Sequence, residues 1–172
     1  MNPSLRVSLI AILAASLPAL AWAKSSDRNQ AMNIESGGQT GTIEGSGTTI
    51  LSGGVSVQQG TLDVRSDRGE ITMRDNDIAR VVFTGSPATL KQQMEDGSPM
   101  TATANRIDYD TINEVVTFTG NYTIKSPKGS NSGQKMVYNL KTGNMQSGGD
   151  GTRVKTVIQP KSAAAAKPKD SK

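Results

Sequence analysis

Three segments of the chain align on a glycine: TTILSGGVSVQQ on Gly53, ARVVFTGSPATLKQQ on Gly85 and EVVTFTGNYTIKSP on Gly120. Each is followed by a second strand-like segment opened by a short polar-basic pair: Asp67-Arg68 before GEITM, Asn105-Arg106 before IDYD, and Gln134-Lys135 before MVYN. The pair follows the glycine by 14 positions in the first and third copies and by 20 in the second, whose extra length holds the turn EDGSP at Glu95 to Pro99. A unit of 32 to 35 residues is therefore used at least three times. A unit of this size, with one apolar face and polar turns, cannot cover that face alone and must stack on copies of itself.

The period within the units is two. In VVTFTGNYTIK, Val116, Phe118, Tyr122 and Ile124 share one parity, and Thr117, Thr119, Asn121 and Thr123 the other. Strand side chains alternate between faces, so each such segment offers an apolar side and a wetted one. No stretch of ten or more residues after the leader shows helical spacing. The expectation is an all-β domain over residues 31–160, built as two facing sheets or a flattened β-roll with the apolar parity inside. A glycine inside a branched strand marks a bulge, bend or close approach, and here it is expected where the strand turns a corner.

Both ends differ from this body. Residues 1–23 have Arg6 as their only charge, an apolar run from Val7 to Leu20, and Ala21-Trp22-Ala23 at its end, the pattern of a cleaved secretory signal peptide. A membrane span needs roughly 20 apolar residues, and this run is shorter and broken by Ser16 and Pro18. Residues 24–30 are read as an N-terminal arm, and the basic tail 161–172 as disordered, because it has no apolar face to bury. The formal net charge of +4 sits mostly in these ends, leaving the body near neutral. Nucleic-acid binding needs a basic folded face, so no nucleic-acid partner is expected.

The chain has neither histidine nor cysteine. That removes the Ser-His and Cys-His nucleophile systems, the commonest zinc ligands and any disulfide. Asp108 and Asp110 share a strand face opposite Ile107 and Tyr109, which reads as the solvated side of a half-buried strand; Asp75 and Asp77 flank Asn76 in a turn. The mixed charges of DVRSDRGE, from Asp63 to Glu70, read as cross-strand pairing on an outer face. No enzyme, cofactor or metal is expected. The inward positions are mostly aliphatic or small, with Phe83, Tyr109, Phe118, Tyr122 and Tyr138 as the aromatics left once Trp22 is removed. Sheets lined this way either close on a thin core, as in a structural or adhesive β-repeat module, or stand apart around an apolar slot suited to alkyl chains. In the slot, Val55, Val57, Ile107, Val116, Phe118, Ile124, Met136 and Tyr138 are the candidate lining.

MNIES at Met32 to Ser36, GSPATLKQQMEDGSP at 85 to 99, ANRIDYD at 104 to 110 and VVTFTGNYTI at 115 to 124 together resemble the OstA family of periplasmic lipopolysaccharide transport proteins, in order, over residues 31 to about 158. The resemblance implies a twisted, open antiparallel β-jellyroll that associates head to tail. It implies a bridge that takes lipopolysaccharide, held by its lipid A acyl chains, from LptC at the inner membrane to LptD at the outer membrane of a Gram-negative bacterium. By the same resemblance Met32, Ile34, Leu90, Tyr109 and Thr111 are lipid contacts, although the family often has a larger apolar residue where Thr111 stands. Ser52-Gly53-Gly54 replaces the family's Thr-Gly-Asn, and Gly69 stands where the other copies have Ile107 and Met136, so the first repeat is expected to hold lipid less firmly or to have a wider groove. The edge strands, Met32 to Ser36 and Arg153 to Gln159, are expected to face LptC and LptD respectively, since unpaired edges invite strand addition.

Overall fold

The computed structural model describes residues 25–42, 44–149 and 151–160; the expected leader and basic tail lie outside them. The described chain forms ten strands: β1 (Asn33–Gly41), β2 (Gly47–Gln59), β3 (Leu62–Ser66), β4 (Arg68–Arg74), β5 (Asp77–Gln93), β6 (Pro99–Asp110), β7 (Val115–Ser126), β8 (Gly129–Asn139), β9 (Met145–Ser147) and β10 (Lys155–Ile158). All pairings are antiparallel and join them into one sheet with β1 at one edge. At the other edge β8 pairs with both β9 and β10.

This single sheet is folded on itself along a crease, where the repeated glycine and the polar pair meet. The ladder slips in register between Ser36 and Gly38, between Thr84 and Ala88, between Thr103 and Arg106, and between Thr119 and Tyr122. At these points Gly53 and Gly120 have φ of +73° and +79°, a conformation that glycine adopts without a Cβ penalty. The polar pairs supply the partners. The Gly54 amide donates to the Asp67 carbonyl (3.3 Å), and the Asp67 amide to that of Thr84 (3.0 Å). A Cβ on Gly120 would lie 2.8 Å from Asn105 Nδ2, while Asn121 and Gln134 bond each other through backbone and side chain (3.2 and 2.7 Å). Glycine and pair thus sit on the two arms of one hairpin, and the larger spacing in the second copy is simply a longer hairpin.

The crease divides the sheet into two half-sheets whose inner faces oppose. On one, the register lines up Ile34, Val57, Val64, Leu90, Ala102, Ile124 and Asn131 across seven strands. On the other, Leu51, Gly69, Phe83, Ile107, Phe118 and Met136 form one row, and Ile71, Val81, Tyr109, Val116, Tyr138 and Met145 the next. Most of these residues are buried, and each aliphatic or aromatic side chain so removed from water contributes about 1.5–3 kcal/mol before entropy is counted.

The outer face is polar. Arg80 holds the Asp108 carboxylate in a bidentate pair (Nε–Oδ1 2.7 Å, Nη2–Oδ2 2.5 Å), and Arg106 reaches the same carboxylate at 3.2 Å. Burial alone would push the Asp108 carboxyl up, but the two guanidiniums together hold it below the usual carboxylate range. Asp75 and Asn76 make the turn from β4 to β5 with φ of +53° and +69°, as a two-residue hairpin turn requires. In DVRSDRGE the ion pair runs along the strand, from Arg65 to Asp63 at 3.2 Å, rather than across strands.

The N-terminal arm is more than a connector. Ser25–Asn29 form a 3-10 turn that drives Asp27 to 4% exposure at the tip of the β2–β3 hairpin. There its carboxylate accepts hydrogen bonds from Thr61 Oγ1 and from Gln92 Nε2 (3.4 Å). A Cβ on Gly60 would collide with that carboxylate at 2.3 Å.

Candidate functional site

The two half-sheets touch over the N-terminal strands and part over the C-terminal ones. Leu51, Val55, Val57, Val64 and Ile71 are buried in a closed core. Beyond them a cavity of about 210 Å³ opens between Leu90, Gln92, Met94, Met100, Ile124 and Asn131 on one wall and Val116, Phe118, Met136, Tyr138, Leu140 and Met145 on the other. It is smaller than the roughly 300–1,000 Å³ that encloses a whole drug-sized ligand, and fits one segment of a flexible chain.

Both amide side chains in its wall bond to protein partners. Asn131 Oδ1 accepts from the Tyr122 hydroxyl (2.6 Å) and from Ser147 Oγ (3.4 Å), and its Nδ2 donates to Thr156 Oγ1 (2.9 Å). Gln92 donates to Asp27. Burial pushes the Tyr138 phenol up, so this group stays neutral at physiological pH. What faces the cavity is mainly apolar, with no charged side chain in the lining. Among the described residues no cluster of three or more carboxylates could hold a metal ion.

The sequence-derived candidates divide into three groups. Leu90, Val116, Phe118, Ile124, Met136 and Tyr138 line the cavity. Val55, Val57 and Ile107 do not; they are at most 4% exposed inside the closed core, where they pack wall to wall. Ile34 packs half-buried on that core, Tyr109 stands half-buried in the row between Val81 and Val116, and Met32 precedes β1 at 38% exposure. Thr111 is outside the cavity lining: it lies past the end of β6, its hydroxyl donates to the Ile78 carbonyl and its amide to that of Ala79 (3.2 Å), so it fastens a turn.

Of the two expectations for the first repeat, the wider groove is corrected. Leu51 fills the space left by Gly69, where a Cβ would sit 3.0 Å from Leu51 Cδ1, and Leu51 is 1% exposed. Four lining apolar residues escaped the sequence reading: Met94, Met100, Leu140 and Met145. Extending the inward parity of Ala88 and Leu90 through Gln92 reaches Met94, and that of Ala104 and Ala102 reaches Met100.

No described helix is long and apolar enough to cross a membrane. Residues 33–144 match the family model described as LptA/(LptD N-terminal domain) LPS transport protein. The lipopolysaccharide export system protein LptA of Escherichia coli K12 is 33% identical over 152 residues, covering 87% of this chain and 80% of that protein. The protein of the same description from Haemophilus influenzae is 31% identical over 153 residues, covering 87% and 88%. The crystal structure of LptH from Pseudomonas aeruginosa, described as the LptA homologous periplasmic component of the lipopolysaccharide transport device, superposes with a TM-score of 0.66 at 22% identity, over 78% of this chain and 99% of that one. The repeated creased hairpins, the continuous open sheet and these matches together establish that the chain belongs to the LptA/LptD N-terminal domain family.

Proposed function

We propose that this protein is a periplasmic carrier that shields the lipid A acyl chains of lipopolysaccharide and forms part of a bridge from LptC at the inner membrane to LptD at the outer membrane. The observation that carries the reading is the cavity: an apolar lining whose two amides are both occupied by protein partners, set in a sheet that ends in edge strands on both sides. Each methylene moved out of water gains about 0.8 kcal/mol, so a chain of about 12 carbons gains on the order of 10 kcal/mol before the costs of binding. Full burial of several chains would hold the lipid too long for relay. A slot that takes one segment, with sugars and phosphates left in water, keeps the lipid bound and movable.

The edges supply continuity. Among the described residues β1 has a free long side, as do β9 and β10, with Val157 and Ile158 exposed on the last strand, the latter at 82%. Like-folded domains can extend such edges by strand addition, β1 toward LptC and β10 toward LptD, and copies can add head to tail without closing a ring. A photoreactive amino acid at Tyr138, inside the cavity, is expected to cross-link lipopolysaccharide in cells, while one at Thr117, on the outer face of β7, is not. Equal labelling at both positions would overturn the assignment and favour a β-repeat module without lipid.

A further inference from the structure

Methionine is concentrated on the cavity. Of the six methionines after Met1, Met94, Met100, Met136 and Met145 line it, two on each wall, and only Met32 and Met73 lie elsewhere. Exposure is graded: Met145 is 54% exposed, Met94 and Met100 are half-buried, and Met136 is 1% exposed. The chain has no cysteine to intercept an oxidant first. A thioether is an unusually good lining for a slot that adapts to a flexible chain, and it is also the side chain that a two-electron oxidant converts from apolar to polar.

We propose that Met94, Met100 and Met145 are an oxidation site that reversibly closes the cavity to acyl chains; this rests on the cavity taking acyl chains in the first place. With hypochlorous acid as the oxidant, sulfur gives up two electrons, the Cl–O bond breaks and an S–O bond forms, yielding the sulfoxide, chloride and a proton. The sulfoxide oxygen needs a hydrogen-bond donor; each wall amide already gives one N–H, to Asp27 and to Thr156, and the other polar group in the lining is the Tyr138 hydroxyl. A chain segment pressed against the sulfoxide would strip its water with at best partial replacement. Sulfoxides are returned to thioethers by methionine sulfoxide reductases, so the change is a switch rather than damage.

The test treats the mature full-length chain with graded hypochlorous acid, locates sulfoxides by peptide mass spectrometry and titrates purified lipid A before and after. Expected are modification in the order Met145, then Met94 and Met100, then Met136, with affinity about tenfold weaker once the first three are oxidised, and recovery after treatment with reductases of both stereospecificities. Lipid A bound beforehand should slow oxidation at Met94 and Met100 but not at Met73, which packs against the closed core. The variant M94L/M100L/M145L conserves side-chain volume, and whatever affinity it shows before the treatment should be the same after it. Unchanged affinity in a wild-type chain oxidised at all three sites overturns the switch and leaves the carrier reading intact. An untreated chain that binds no lipid A overturns the carrier reading and the switch with it.

Discussion

The N-terminal and C-terminal halves of the roll share one backbone plan and reach opposite outcomes. Over β2 to β4, Leu51 enters the space that Gly69 leaves, and with Val55, Val57, Val64 and Ile71 it closes the half-sheets on each other. Over β6 to β9, Phe118 and Met136 continue the row of Leu51, yet the half-sheets part around a cavity. The difference lies in coverage. The closed half is bounded by a nine-residue β1 and a docked 3-10 turn, whereas the open half ends in a three-residue β9 and a four-residue β10. Whether a jellyroll wall becomes core or conduit is thus set by what flanks it as much as by its own apolarity.

The comparison can be broken most forcefully at Leu51. Leu51→Ala removes a fully enclosed side chain and should cost about 3 kcal/mol in urea unfolding, whereas Leu90→Ala, which borders empty space, should cost about 1. Equal losses would mean that the two halves are packed alike. Next in size is Gly69→Val, which forces Leu51 out of its niche. A loss of about 2 kcal/mol is expected, together with greater uptake of an apolar fluorescent dye as the closed half is pried apart. Unchanged dye uptake would show that Gly69 does not control closure.

Gly120→Ala puts a Cβ against Asn105 at a φ of +79°, and should destabilise by about 1.5 kcal/mol. Adding Asn105→Gly should restore only the contact part of that loss, and full restoration would remove backbone strain from the account. The smallest effect belongs to the shared outer face. The folded Asp108 carboxyl is held below its unfolded value near 3.9, so its contribution is complete above that value and lost as pH falls through the lower folded one. Asp108→Asn should cost under about 1 kcal/mol at pH 7 and flatten the acid limb of the stability curve. An unaltered acid limb would remove Asp108 as its source.

The repeated glycine, the polar pair and the period of two were enough to anticipate the crease, the inner parity and the terminal edge strands, because each is a local demand of the backbone. Whether two inward rows touch is a non-local matter. Alternation marks Val55, Val57 and Ile107 as inward in the same way as Val116 and Ile124, and nothing in their own segments tells core from cavity. Gly69 misled for the same reason: an absent side chain reads as space until the register places Leu51 beside it. Met145 was hidden because β9 is too short to show alternation, and its facing is fixed only by the pairing with Tyr138, whereas Leu140 extends the parity of Met136 and Tyr138 one residue past the end of β8.

The crease also acts as a lever. Its ladder is interrupted in four of the pairings, so a rotation of the half-sheets about it would leave most of their own hydrogen bonds intact. Strand segments of about five residues reach about 16 Å from it, and over that arm a rotation of about 10° moves the hairpin tips nearly 3 Å. Strand tips far from the glycines would therefore amplify small dihedral changes there into a change in the width of the slot.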